Sequence, residues 1–222
     1  MNRLGLMHPS TLTGKHNAET SALYNAFNEH TSQVLQGANI TYKLPSTGAL
    51  VGPFGILLHT PHVGRAFLDF CNALFELPGL TDRTRTIIAL VVAAYENSNY
   101  HFYFNGRLAQ ERGMTKNELD SLRAGLYAQS FSEEEKAAYG VARELCASSG
   151  NLSERAWNDC VAKMGREGTV ALVHYVGFHR YIATMLRGFD AQMPAPRERV
   201  ENQGVQQGGS GSGGGGEAAG PS

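Results

Sequence analysis

Ile87-Ile88-Ala89-Leu90-Val91-Val92-Ala93-Ala94-Tyr95 is the longest apolar run in this 222-residue chain. Two turns that are apolar on nearly every side belong in the middle of a structure rather than on its surface. A run this short also suits a buried strand, but no second strand-like segment is present to pair with it. The run therefore predicts the central helix of a bundle, capped by Thr81 or Asp82. It is far shorter than the roughly 20 apolar residues of a membrane span, so no membrane partner is expected.

Outward from that run the period stays helical. On its N-terminal side Ala22, Leu23, Ala26, Phe27, His30, Val34 and Leu35 form one stripe at i, i+3, i+4 spacing. Gly37 to Pro53 carries turn residues and reads as a long connection. Pro61 then opens a helix to about Glu76, whose buried stripe is expected to hold Val63, Ala66, Phe67, Phe70, Cys71 and Leu74. On the C-terminal side Glu96-Asn97-Ser98-Asn99 interrupts the central helix. Ser98 caps the next one, from about Asn99 to Arg112, and Gly113 stops it. Thr115 with Glu118 and Ser132 with Glu135 have capping-box spacing, and Ser153 is a third cap. A final helix runs from about Glu167 to Gly188. The fold class is all-α: a single-domain helical bundle over residues 17–193. Residues 1–16 read as a loose arm, and the Gly/Ser-rich stretch 194–222 as a flexible, disordered tail.

Composition narrows the function. Lys and Arg total 19 against 20 Asp and Glu, a formal charge of −1, so the basic surplus a general nucleic-acid binder needs is missing. Cys71, Cys146 and Cys160 are widely spaced and form neither a CxxC nor a zinc pattern. With no basic stretch leading into an apolar leader, a reducing, cytoplasmic setting is expected. The chain has no GxGxxG, P-loop or GxSxG, so neither a nucleotide cofactor nor a serine-hydrolase triad is expected. His174 and His179 stand five apart rather than the four that suits a helical metal pair, so no metal site is expected.

One segment departs from a plain bundle pattern: Ala94-Tyr95-Glu96-Asn97-Ser98-Asn99-Tyr100-His101-Phe102-Tyr103-Phe104-Asn105. It sets Ser98, His101 and Asn105 on one helix face. It also puts His101 in a first helical turn, where the positive dipole end disfavours the imidazolium. A neutral imidazole there serves as a general base. Asn105 and Ser98 would polarise or position a substrate, with Tyr100, Tyr103 and Glu96 around them. The aromatic side chains Tyr100, Phe102, Tyr103 and Phe104 suit either a flat unsaturated ligand or burial between helices. His179 is expected to face the same pocket, and Arg180 and Arg187 to meet either a substrate carboxylate or a surface acid.

Leu50 through Ala183 resembles the carboxymuconolactone decarboxylase family, which includes the AhpD-like alkylhydroperoxidases. The likeness lies in Leu50-Val51-Gly52-Pro53-Phe54, in Arg83-Thr84-Arg85-Thr86-Ile87-Ile88, in Asn105-Gly106-Arg107-Leu108-Ala109 ahead of Gly113-Met114-Thr115, and in Gly177 to Ala183. The resemblance implies an all-helical AhpD-like bundle and a homo-oligomer, a trimer or hexamer. The AhpD-like branch uses a CxxC, a His four residues on and a Glu on the preceding helix. By spacing those positions fall here on Ser98, His101, Asn105 and Thr86, none of which carries the peroxidase group. In the decarboxylase-like branch a Glu and a His four residues later stand where this chain has His101 and Asn105. The resemblance thus implies a family scaffold with altered chemistry. The expected function is a cofactor-free lyase or isomerase/cyclase moving protons on a small carbonyl- or carboxyl-bearing molecule, with His101 as acid–base residue. A non-catalytic binding or assembly subunit is the alternative. A hydroperoxide reductase is a third reading, disfavoured because it needs paired thiols.

Overall fold

A computed structural model describes residues 2–14 and 17–195. Most of the stretch read as a flexible tail lies outside the described residues. Among those described the α-helices are α1 (Ala18–Leu35), α2 (Gly52–Leu57), α3 (Pro61–Phe75), α4 (Asp82–Tyr95), α5 (Asn99–Glu111), α6 (Lys116–Arg123), α7 (Glu133–Ala147) and α8 (Glu154–Gly188), preceded by a short 3-10 turn at Pro9–Thr11. The only pairing of extended backbone among the described residues is an isolated bridge between Lys43 and Leu50. No helix of the described residues is long and apolar enough to cross a membrane.

The apolar run forms the centre of α4. Every residue from Thr86 to Ala93 is buried, and α4 packs against α5, α6, α7 and α8. Thr81 caps it by accepting the Thr84 N–H at 3.1 Å. Both capping boxes form, at Thr115/Glu118 and Ser132/Glu135, and Ser153 caps α8. Each ties down backbone N–H groups that would otherwise lack a partner at a helix start.

The two box glutamates do more than cap. Arg83, at the start of α4, donates from Nη2 to Glu118 at 2.5 Å and from Nε to Glu135 at 2.7 Å. One guanidinium thus ties α4 to the N-termini of α6 and α7. Burial pushes the Glu118 carboxyl up, but hydrogen bonds from Ser130, the Thr115 backbone and Arg83 outweigh it and hold the group down at about 2.

Four details differ from the sequence reading. Val63, Ala66 and Phe70 of α3 are exposed, and the buried set is Gly64, Phe67, Leu68, Cys71 and Leu74. The buried face lies to one side of the expected stripe because Gly64 lets α3 close on α1. A Cβ there would meet Leu23 at 2.4 Å. In α1 Ala22 is exposed, and the seam drifts to Leu23, Phe27, Thr31 and Leu35. The long connection ends in α2, with Pro53 in its first turn, where a missing N–H costs nothing. Finally, the expected break before Glu167 is a bend at Gly165, which has φ of 72° inside α8. A left-handed backbone at that point admits little but glycine.

The segment before α1 is fastened to the other end of the described chain. The Arg3 N–H donates to Phe189 O at 2.8 Å, and Leu12 is buried. The turn between α3 and α4 is similarly close to α8, where a Cβ on Gly79 would meet Gly168 Cα at 2.6 Å.

Arg83→Met should lower unfolding free energy by about 3 kcal/mol, because it leaves two buried carboxylates without their cation. Urea denaturation at pH 7 measures this. A carboxyl held below its ordinary 4.5 stabilises the fold fully above that pH and loses the contribution as pH falls toward 2. Glu118→Gln should therefore flatten the stability profile over that interval and leave the profile above pH 5 unchanged in slope.

Candidate functional site

Helices α1, α3, α4, α5 and α8 line a cavity of about 140 Å³, with the exposed residues Phe75, Asp82 and Arg112 at its wall. A dry cavity of about 150 Å³ holds one benzene ring, so the space suits a single-ring molecule. Its wall is mostly apolar, and its polar groups come from four helices. His101 and Asn105 project from α5, Arg85 and Thr86 from α4, Tyr175 and His179 from α8, and His30 from α1.

His101 and His179 meet across this wall. Nε2 of His101 lies 3.0 Å from Nδ1 of His179, and the rings stack with centroids 5.0 Å apart and planes 28° from parallel. Both residues are buried, at 3% and 8% exposure. One nitrogen of the contact carries the hydrogen and the other accepts it, so two neutral rings satisfy the bond and two imidazolium rings do not. Burial lowers His101 to about 4, and burial together with the neighbouring ring holds His179 well below 6.5. At neutral pH the pair is uncharged.

The outer nitrogens differ. Nδ1 of His101 is sealed from solvent and has no hydrogen-bond partner among the described residues. Nε2 of His179 likewise has no partner among the described residues but is not sealed. The pair thus has one closed end and one end open to the cavity.

The structure brings together only part of the residue set expected from sequence. His101, Asn105, Tyr100, Thr86 and His179 all line the cavity. Asn105 donates from Nδ2 to the His101 carbonyl at 2.9 Å, which leaves its oxygen for other contacts. The Thr86 hydroxyl donates to Asp82 O at 2.8 Å. Tyr100 stands over the start of α2, where a Cβ on Gly52 would meet its ring at 2.2 Å. Three residues lie elsewhere. Ser98 holds the N-cap position of α5, but its side chain makes no cap bond, and it faces a separate surface hollow with Asp190 and Met193. Tyr103 is outside the cavity wall, with its ring 6.4 Å from that of Tyr100. Glu96 ion-pairs with Arg180 at 3.1 Å and Arg187 at 2.5 Å, so it neither orients His101 nor leaves those arginines facing a substrate. The period of α5 explains the split, since three residues from Ser98 to His101 cross from one hollow to the other around the first turn.

Several cavity residues were not singled out by sequence reasoning. Arg85 and Tyr175 hydrogen-bond each other at 2.8 Å. Tyr175 precedes His179 by one turn, so shared helical facing was the signal that could have found it. Cys71 lines the cavity as well, but burial pushes its thiol up to about 12. Cys146 is pushed to about 11, again chiefly by burial. All three cysteines are buried and free, an environment that suppresses the thiolate a sulfur nucleophile needs.

Residues 61–144 match the model of the carboxymuconolactone decarboxylase family. The matched stretch runs from the start of α3 into α7. The fold is similar to that of the debrominase Bmp8, solved in complex with 2,3,4-tribromopyrrole, with a TM-score of 0.62 at 14% identity over 82% of this chain and 90% of that one. It is also similar to an uncharacterised peroxidase-related protein from Ralstonia eutropha with an alkylhydroperoxidase AhpD core. There the TM-score is 0.68 at 16% identity, over 88% of this chain and 93% of the other. A protein of unknown function from Agrobacterium tumefaciens, described as an AhpD antioxidant defence protein, gives 0.58 at 17% identity over 63% and 95%. At these identities the likeness is one of fold. No curated protein matches the chain.

A histidine held below its ordinary 6.5 leaves the folded state with fewer protons than the unfolded state between 6.5 and about 4. The contribution is complete above pH 6.5 and is lost as pH falls toward 4. Stability should drop by about 3 kcal/mol across that interval from His101. The double variant His101→Phe/His179→Phe should lose much less. Urea denaturation at a series of pH values distinguishes the two.

Proposed function

We propose that this chain is a cofactor-free enzyme, a lyase or isomerase/cyclase, that moves protons on a small unsaturated organic molecule of single-ring size. The His101–His179 pair is its acid–base group. The observation that carries this reading is the buried histidine–histidine hydrogen bond in a cavity wall of matching size. An uncharged imidazole pair held in an apolar wall has few purely structural reasons to exist, because burying it costs solvation that leucines would not.

The pair acts as a unit. His179 presents Nε2 to the cavity, and its Nδ1 shares a hydrogen with His101, so charge arising on one ring spreads to the other. In the empty site the rings resist protonation. A carbanion or enolate forming beside them reverses that preference, because an opposite charge at close range favours the cation. Proton uptake is thereby linked to formation of the anionic intermediate. In an isomerisation the pair takes a proton from one carbon and returns it to another. In a decarboxylation the bond to the carboxylate breaks, carbon dioxide leaves, a conjugated carbonyl accepts the electron pair, and the histidines deliver a proton to carbon. Asn105 lines the cavity, and the second hydrogen of its Nδ2, the first being held by the His101 carbonyl, serves as donor to the oxygen on which charge collects. Bmp8, bound to a five-membered brominated ring, supports the ligand size.

The cavity supports this reading over that of a purely binding subunit, for which His101 would pack against aliphatic side chains. The raised, buried thiols give no support to a hydroperoxide reductase. The homo-oligomer implied by the resemblance remains part of the proposal, and light scattering on the purified chain tests it.

Comparison of metabolites in cells with and without the gene identifies the substrate by its accumulation. With that substrate, His101→Phe and His179→Phe should each reduce kcat by about a hundredfold or more, the usual worth of a general acid–base group. Unchanged turnover in either variant removes that residue from the mechanism. The acid limb of kcat/KM should fall near pH 4, where the free pair becomes protonated, rather than near 6.5.

A further inference from the structure

We infer that Tyr175, backed by Arg85, is the site's oxygen anchor, so the ligand of this cavity carries a carbonyl, carboxylate or phenolate oxygen. The inference rests on the proposed use of the cavity and names the substrate group it selects.

The argument begins with what Arg85 lacks. Its guanidinium donates from Nη1 to Phe75 O at 2.9 Å and to the Tyr175 hydroxyl at 2.8 Å. It also donates from Nη2 to Leu77 O at 2.7 Å and from Nε to Leu80 O at 3.3 Å. Every one of these acceptors is neutral. Asp82, one turn earlier on α4, also lines the cavity, but it stays exposed and makes no ion pair with Arg85. A half-buried cation therefore stands in the wall with no ion-pair partner among the described residues, Asp82 acting on Tyr175 only through space, and it is fixed by four hydrogen bonds and by the Tyr175 ring, whose centroid is 5.2 Å away. Three of those bonds hold the turn after α3. The fourth holds nothing but the phenol.

The phenol in turn is incomplete. Tyr175 is 3% exposed, and its oxygen accepts from Arg85. Its own hydrogen has no acceptor among the described residues. A phenol that accepts from a guanidinium is a stronger donor, because the bond draws electron density from its oxygen. Burial raises Tyr175 and Arg85 only partly counters this, so the hydrogen stays on the ring oxygen at neutral pH. The Tyr175 ring stands 5.9 Å from that of His179, one turn along α8. A single ring in the cavity can thus meet the phenolic hydrogen and the open histidine nitrogen together. This is the arrangement that stabilises charge on an oxygen while a proton moves at carbon. Tyr175 is the group that touches the ligand; Arg85 acts through it as a positioning residue.

Para-nitrophenol and para-nitrotoluene test the anchor, since they share ring size and nitro group and differ in one oxygen. Binding is measured by titration calorimetry at neutral pH, and the ionisation of bound nitrophenol by the visible absorbance of its phenolate. The protein should prefer nitrophenol to nitrotoluene by about tenfold or more and should enrich the phenolate on binding. Tyr175→Phe should erase both effects and leave nitrotoluene affinity as it was. Arg85→Lys should retain binding but reduce the phenolate enrichment. Equal affinity for the two probes, no binding of either at millimolar concentration, or a full preference in Tyr175→Phe would overturn the assignment. His101→Phe should keep the preference, so loss of turnover in that variant bears on the proton-transfer reading and leaves the anchor standing.

Discussion

Two imidazoles are removed from water in this fold with no carboxylate among the described residues paired to them, and they solve that problem by bonding to each other. The contact of His101 Nε2 with His179 Nδ1 at 3.0 Å is satisfied when at most one ring is protonated and is lost when both are. That contact ties α5 to α8 and settles which nitrogen is left for the cavity. Burial lowers both rings and keeps the empty pair neutral at pH 7. The site's reactivity follows from the same condition. A pair that refuses a proton when empty accepts one when negative charge develops next to it.

The rest of the bundle holds that contact in place. The middle of α4, Thr86 to Ala93, is buried, and the helix packs on both α5 and α8, so the two histidine-bearing helices share one rigid neighbour. Arg83 pins the start of α4 to the capping boxes of α6 and α7. Two positions further on, Arg85 pins the turn after α3 and reaches Tyr175 on α8. Alternate residues of one short stretch therefore do different jobs: Arg83 locks the scaffold on the outer side, and Arg85 and Thr86 form the cavity wall on the inner side.

Much of this architecture was legible in the sequence because it depends on local chemistry. The run Ile87–Tyr95, the Thr115/Glu118 and Ser132/Glu135 boxes and the Gly113 stop each act within a few residues, and helical spacing reads them directly. His101 stood out because its placement in a first turn is also local. Its partner was legible only as a residue expected to face the pocket. The bond to His179 spans 78 positions, and no pattern within one helix encodes it. The same holds for Glu96, which looked like a neighbour of His101 in sequence but faces Arg180 and Arg187 across to α8. Ser98 lies apart from His101 for a related reason: i, i+3 spacing places two residues near one face, but a cavity edge can run between them. The stripe on α3 went astray at Gly64, where a missing side chain draws α1 in and turns Val63 and Phe70 outward.

Nitrogen-detected NMR of the two imidazole rings tests the central claim most directly. With nitrogen-15 in the histidines, the account predicts two rings in single neutral tautomers at pH 7, one nitrogen of each engaged in a shared N–H···N bond. Neither ring should titrate as the sample is brought to pH 5. Rings that average between tautomers, or that take up a proton near pH 6.5 as a solvated histidine does, would contradict it.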